Sequence, residues 1–229
     1  MTRTLAALID LVLPADCAGC GAVAASGVCP DCAALLRGRA APTRPTPEPE
    51  GLPPCVALGD YGGPLRELIL AYKERGRRGL SAPLGDALAA VVLSSAGVRA
   101  PLALVPVPDT TAAARARHGD HMLRLARRAA RCLRRHGVPA LVCSPLRARP
   151  RLDSVHLDRA GRARAAGDAF VVRPRRAAAL RAAGAFVVVV DDVVTTGATL
   201  AAVSGRLEAA GVRVAFAATL AATRLRAGN

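Results

Sequence analysis

Apolar positions recur along this chain with two periods, and the alternation between them outlines the fold. From Thr4 to Leu13, Leu5, Leu8, Ile9 and Val12 fall at helical spacing, predicting a short amphipathic helix that leads into Cys17. Pro42, Pro45, Pro47, Pro49, Pro53 and Pro54 then crowd one segment, which reads as a stiff extended linker without regular structure. Beyond it Pro64 opens a helix whose Leu65, Leu68, Ile69 and Tyr72 form one face, with Gly76 just past its end, and a second helix runs from Ser81 to about Leu93.

The second half changes period repeatedly. Leu102 to Val105 reads as a buried strand stopped by Pro106 and Pro108. A long helix follows, with Met122, Leu125, Ala129, Cys132 and Leu133 inward and Arg124, Arg127, Arg128, Arg131, Arg134 and Arg135 around the rest, where they serve as solvated charges. Further strands are predicted at 140–143, 169–172, 186–190 and 212–220. Between the last two, a helix from Thr199 to Ala210 lines its inner face with Leu200, Val203, Leu207 and Ala210, and Gly211 supplies a left-handed cap. Strands alternating with helices, some as continuous apolar runs, predict an α/β fold: a parallel sheet covered by helices on both faces.

Composition sharpens this picture in three places. The 229 residues are 52% hydrophobic and 21% charged, enough for a substantial core, but only 2% are aromatic and none is Trp, so Ala, Val and Leu must build the interior. That scarcity argues against nucleic-acid recognition by an exposed row of stacking aromatics. The 32 basic residues against 17 acids give a net charge of +15, and Lys73 is the only lysine. Such an excess suits nucleic acid, phosphate ligands or an anionic surface, yet solvated arginines in an Ala, Gly, Pro and Arg-rich chain account for it more simply, so charge alone names no partner.

No apolar run approaches the ~20 residues that span a bilayer. The N-terminal apolar stretch is broken by Asp10, and Pro14-Ala15-Asp16 leads to cysteines rather than to a small-residue cleavage site. The expected compartment is the cytoplasm, where thiols stay reduced and paired CxxC elements signal metal.

Two constellations carry chemistry. In Val187-Val-Val-Val190-Asp191-Asp192-Val-Val-Thr195-Thr196-Gly197-Ala198-Thr199, a buried strand ends at two adjacent carboxylates and a Thr/Gly turn feeds an amphipathic helix. Ligands of open α/β sheets bind at such a corner. Backbone N–H groups, the hydroxyls of Thr195, Thr196 and Thr199 and the positive end of the helix suit a phosphate, which the glycine lets approach closely. Acids facing that phosphate would be repelled, so Asp191 and Asp192 more sensibly accept hydrogen bonds from neutral hydroxyls such as those of a ribose. No GxxxxGK[ST] loop accompanies the turn, which argues against an ordinary ATPase.

The second constellation is Cys17-Ala-Gly-Cys20 and Cys29-Pro-Asp-Cys32. Two tight CxxC turns complete a closed Cys₄ site suited to structural zinc; a redox dithiol or an iron–sulfur cluster is the alternative. Cys55, Cys132 and Cys143 have no such spacing, and the last two occupy apolar positions as small hydrophobes.

The segment 187–199 resembles the binding motif of type I phosphoribosyltransferases. That resemblance implies that Thr195, Thr196, Gly197, Ala198 and Thr199 wrap the 5-phosphate of phosphoribosyl pyrophosphate (PRPP). It also implies that Asp191 and Asp192 are catalytic, holding the ribose hydroxyls and the cationic sugar, with Mg²⁺ on the pyrophosphate and ribose oxygens. Together with the Cys₄ knuckle and the proline linker, the chain is similar to the ComF family of competence proteins and their GntX-type relatives. Supporting blocks are Tyr61 to Gly76 including Leu68-Ile-Leu-Ala-Tyr72-Lys73, Val105-Pro-Val-Pro108, and Arg147, Arg149, Leu157, Arg162, Ala169 and Phe170.

The resemblance implies a type I phosphoribosyltransferase-like sheet domain at 55–229, a helix and zinc knuckle at 1–41 and a linker at 42–54. It further implies phosphoribosyl transfer to an acceptor in connection with DNA uptake; the alternative is a non-catalytic nucleotide- or DNA-binding accessory protein, with single-stranded DNA and a helicase-type ATPase as partners. Many relatives carry Arg-Gly-Phe-Asn-Gln where this chain has Arg117-His118-Gly119-Asp120-His121, and Gln and Asn where it has Ser154 and Ala165. His118 and His121 read more readily as solvated or capping residues than as proton donors or acceptor-binding groups. Lys73 and the Arg77-Arg78 pair read as solvent-facing rather than as pyrophosphate contacts.

Overall fold

A computed structural model describes residues 16–95, 101–116, 119–149 and 169–223. The helix expected at 4–13, and His118, Ser154, Leu157, Arg162 and Ala165, lie outside the described residues.

The chain enters through the cysteine knuckle, which closes with helix α1 (Pro30–Leu36), Cys29 serving as its N-cap. Strand β1 (Ala41–Thr43) leads through the proline segment to β2 (Cys55–Asp60), followed by α2 (Gly63–Lys73), a 3₁₀ turn at Arg78–Leu80 and α3 (Ser81–Ser95). Next come β3 (Leu102–Pro106), α4 (Thr111–Ala116), α5 (His121–Arg135) and β4 (Ala140–Val142). A hairpin of β5 (Leu146–Ala148) and β6 (Phe170–Val172) precedes α6 (Pro174–Ala182), β7 (Phe186–Val194), α7 (Ala198–Ala209) and β8 (Val214–Ala222).

Six strands form the central sheet in the order β1-β2-β8-β7-β3-β4. Every pairing is parallel except β1 with β2. The α/β expectation of a parallel sheet flanked by helices is met at this level. Consecutive strand residues face opposite sides, so the sheet divides two cores. Leu102, Leu104, Val188, Val190 and Leu220 pack beneath α2, α3 and α5, whereas Ala103, Val105, Val187, Val189 and Ala217 pack beneath α6, α7 and the hairpin.

Two sequence expectations need correction. The proline segment is not devoid of regular structure: Ala41, Pro42 and Thr43 pair antiparallel with Ala57, Val56 and Cys55. An edge strand hydrogen-bonds on one side only, so it tolerates the absence of an N–H at Pro42. Strand β7 also does not stop at Val190. It runs through both acids to Val194, because Asp191, Val193 and Val194 stay in register with Thr219, Ala221 and Ala222 of β8.

Small residues let the layers approach. A Cβ on Gly85 of α3 would come within 2.6 Å of the Arg128 Cβ on α5, so the glycine sets the distance between these helices. Arg128 itself is not merely solvated: Nε and Nη2 donate to the two oxygens of Asp86 at 2.9 and 2.8 Å, a bidentate clasp across the same contact. The knuckle joins the α2 side, with Cys17, Cys32 and Leu36 in the same core as Leu58, Leu65 and Leu68, and Arg77 Nη1 donates to the Asp16 carbonyl at 2.8 Å.

Candidate functional site

At the knuckle, Sγ atoms of Cys17, Cys20, Cys29 and Cys32 all lie within 4.8 Å of one another, and those of Cys20 and Cys29 are 3.5 Å apart. Tetrahedral zinc with ~2.3 Å bonds to sulfur places its ligands roughly 3.8 Å from each other, so the four thiols fit that ion. Backbone N–H groups of Gly19 and Cys29 point at Cys17 Sγ from 3.4 and 3.3 Å, and that of Cys32 at Cys29 Sγ from 3.4 Å. Burial opposes ionisation of Cys17, but backbone donors from Cys29, Cys20 and Gly19 overcome it and hold the thiol down at about 6. Burial and the neighbouring thiols push Cys32 the other way. Thiols that ionise unequally when crowded together become thiolates jointly around a cation, and the closed set leaves no position for a reacting ligand.

The second site lies where β7 meets α7. Gly197, the N-cap of α7, has φ +75° and no side chain to bond the leading N–H groups of the helix. Thr196 Oγ1 accepts from the Ala198 N–H at 3.4 Å. Thr195 and Thr196 are exposed, with Ala198 and Thr199 partly so, giving a turn with hydroxyl and N–H donors open to a ligand. The face of Gly197 that a Cβ would occupy is already filled. Such an atom would lie 3.0 Å from Pro45 and 3.1 Å from Leu52, so this glycine makes room for the proline segment, which straps over the turn.

Alternation along β7 separates the two acids. Asp192, on the face of Val188 and Val190, is buried beneath α2 and α5, while Asp191 lies on the opposite face and is partly exposed. Lys73 Nζ at the end of α2 lies 2.7 Å from Asp192 Oδ2, and His121 Nε2 at the start of α5 lies 3.2 Å from the same atom. His121 Nδ1 in turn lies 2.6 Å from Oδ2 of Asp109, just beyond β3. Tyr72 of α2 donates its hydroxyl to the His121 carbonyl at 2.9 Å, fixing the backbone that carries the ring.

The electrostatics follow from these contacts. Burial works against the His121 cation, but hydrogen bonds and charge from Asp109 and Asp192 outweigh it and raise the imidazole to about 9. Burial also works against Asp192, yet His121 and Lys73 hold its carboxyl down at about 2. At Asp191, burial first and then the charge of Asp192 outweigh the Asp192 N–H, which donates to Oδ1 at 2.9 Å, and the charges of Lys73 and His121, and lift the carboxyl to about 7. One carboxylate of the pair is thus firmly ionised and the other titrates near neutrality.

Two expectations from sequence change here. His121 is neither solvated nor a cap, since Asp120 caps α5 through Leu123 N–H at 2.8 Å and the His121 ring is buried between two acids. Lys73 is not a solvent-facing cation but an ion-pair partner of Asp192. Sequence pattern does not single out Asp109, although its place directly after Val105-Pro-Val-Pro108 marks a strand end, and the solitary lysine is a comparable signal. Among the remaining cysteines, Cys55 and Cys132 are buried, whereas Cys143, expected as a buried strand residue, lies just past β4 and is partly exposed.

Among the described residues, no helix is long and apolar enough to cross a membrane. In comparisons with known proteins, the chain matches no family model and no curated protein.

Proposed function

We propose that this chain is a phosphoribosyltransferase-like protein of the ComF family that binds PRPP with Mg²⁺ and transfers the phosphoribosyl group to an acceptor, in a cytoplasmic role connected with DNA uptake. The observation that carries the reading is the juxtaposition of Asp191 and Asp192 with the Thr195–Thr199 turn, whose Thr195 and Thr196 are exposed, at the junction of β7 and α7. A sugar phosphate needs these two halves together: donors for its phosphate and acceptors for its hydroxyls.

In this reading the turn holds the 5-phosphate, and the two aspartates hold ribose hydroxyls on the side of the sugar that becomes cationic. The bond from the anomeric carbon to pyrophosphate breaks, pyrophosphate leaves with the electron pair, and an acceptor nucleophile forms the new bond. The protein acts by orientation and by placing negative charge near the developing cation, with no covalent intermediate. Magnesium would supply charge neutralisation on the leaving group.

Calorimetric titration of Mg²⁺ and PRPP into the zinc-loaded protein tests this reading. Binding that is lost in a folded Asp191→Asn, Asp192→Asn double variant is the expected result; no binding to wild type at millimolar PRPP overturns it.

One observation favours a second reading, that of a DNA-binding accessory protein. Arg128, Arg131, Arg134 and Arg135 line an open depression of about 410 Å³ along α5, a surface suited to a phosphate backbone.

A further inference from the structure

The acids beside the turn pose an electrostatic problem. PRPP carries several negative charges, and Asp191, Asp192 and Asp109 would together repel it. His121 and Lys73 answer that problem at one atom, since Nε2 and Nζ both meet Oδ2 of Asp192. Neither of these two contacts is made to the other oxygen, Oδ1. The imidazole has carboxylate oxygens at both ring nitrogens, 2.6 Å away at Nδ1 and 3.2 Å at Nε2, and only the doubly protonated ring donates to both. Its side chain is 5% exposed and its carbonyl is tied to Tyr72, so neither ring nor backbone is free to swing away.

We infer that Asp109 and His121 form a positioning unit for Asp192: Asp109 orients the imidazolium, which with Lys73 ties down Oδ2, so that a sugar hydroxyl meets an ionised carboxylate through Oδ1. The inference rests on the phosphoribosyl reading. It assigns unlike tasks to the adjacent acids. Asp192 is the pre-oriented, charge-compensated acceptor, and Asp191, across the strand, is the adjustable one. Residues from four places must meet for this: the turn after β3, the end of α2, the start of α5 and β7. Outer partners of this kind commonly matter about tenfold or more to ligand affinity although they touch no ligand.

The test uses the zinc-loaded full chain with ¹⁵N-labelled histidine, the His121 ring signals being assigned by their loss in His121→Gln. Both ring nitrogens should be protonated at pH 7, with a midpoint near 9. In Asp109→Asn, an isosteric change, the midpoint should fall by about two units because a neighbouring negative charge is gone. The other groups facing the ring, Asp192 from β7, Lys73 and Tyr72 from α2, and Asp120 and Arg124 of α5, are unchanged in that variant.

Calorimetry with Mg²⁺ and PRPP then reads the consequence. Asp109→Asn should weaken binding about tenfold at pH 8, where its ring has lost the proton, and much less at pH 6, where the proton remains. A residue of purely structural importance would lower the melting temperature without this pH dependence. Wild-type affinity in Asp109→Asn at both pH values overturns the positioning role. A ring that titrates like free imidazole near ~6.5 overturns the array itself, whatever the protein binds. Wild-type protein that binds no PRPP while its ring spectrum is as expected overturns the phosphoribosyl reading and leaves the charge array standing.

Discussion

Lys73 and His121 meet on a single oxygen of Asp192, the ammonium at 2.7 Å and the imidazole at 3.2 Å. Two cations on one carboxylate oxygen make the surroundings of β7 depend on pH in a direction that can be worked out.

Three groups set that dependence. Asp192 is held down at about 2, so its contribution is present above the ordinary value near ~3.9 and is lost as pH falls through 2. Asp191 is raised to about 7 and His121 to about 9, so the folded state binds more protons than the unfolded chain between ~3.9 and 7 at Asp191 and between ~6.5 and 9 at His121. The contribution of these two groups should therefore fall as pH rises from 5 to 9, read as the change in urea midpoint of wild type relative to each variant, both zinc-loaded so that the zinc thiolates contribute alike. Asp191→Asn should flatten the lower part of this slope and His121→Gln the upper part; unchanged slopes would refute the assigned interactions.

Metal content provides the second prediction. Purified protein should carry about one zinc per chain, and Cys17→Ser or Cys32→Ser should lose it. Because the knuckle shares a core with Leu58, Leu65 and Leu68, chelation should lower the melting temperature by roughly 6–12 °C, the shift expected for a loss of about 3 kcal/mol in a chain of this size. Elemental analysis and a thermal melt with and without chelator check both parts.

The strap over the turn is tested by a mutant cycle. Gly197→Ala puts a side chain at φ +75° and within 3.0–3.1 Å of Pro45 and Leu52, and should cost about 1–2 kcal/mol from backbone strain alone. Leu52→Ala removes part of the crowding. In the double variant the two costs should sum to less than the separate values, measured by denaturant unfolding; simple additivity would show that Leu52 and Gly197 do not touch.

The α3–α5 contact offers a purely structural control. Gly85→Ala forces a methyl against the Arg128 Cβ, backbone-near and unable to yield without moving the helix, and disturbs the clasp on Asp86. A cost of about 1–3 kcal/mol is expected from overpacking.

For the arginine surface, oligonucleotide binding measured against salt separates the two functional readings. If α5 binds DNA, log affinity falls linearly with log salt, and Arg131→Ala with Arg135→Ala reduces the slope by about one per phosphate contact removed. No binding at low salt removes the second reading and leaves the first untouched.

Much of the local structure was legible along the chain because its causes are local. Pro64 and Gly76 bracket α2, apolar residues at helical spacing give α5 and α7 their buried faces, and Gly211 at φ +73° ends α7 as expected. The extended run at Val187–Val190 announces a buried strand. The weakest readings fell where a partner strand decides the outcome: Pro42 becomes strand because β2 accepts it at an edge, and Asp191 and Asp192 remain in β7 because β8 continues beside them. Helix α6 at Pro174–Ala182, with only Ala177 and Leu180 buried, carries too weak an amphipathic pattern to stand out.

The sequence by itself determined the two clusters whose members are neighbours along the chain: the paired CxxC turns and the acid pair followed by its Thr/Gly turn. Their short spacing restricts the side chains to one locality whatever the remainder does. Only the tertiary structure brought His121 to Asp192, 71 residues away, and set Lys73 and Asp109 beside them. That meeting depends on strand order and parallel direction: β3 lies next to β7, α2 and α5 cover the same face, and the residues leaving these elements reach one edge. Period and composition encode which side of an element is buried, but the identity of the remote group it faces is decided by how the sheet is assembled.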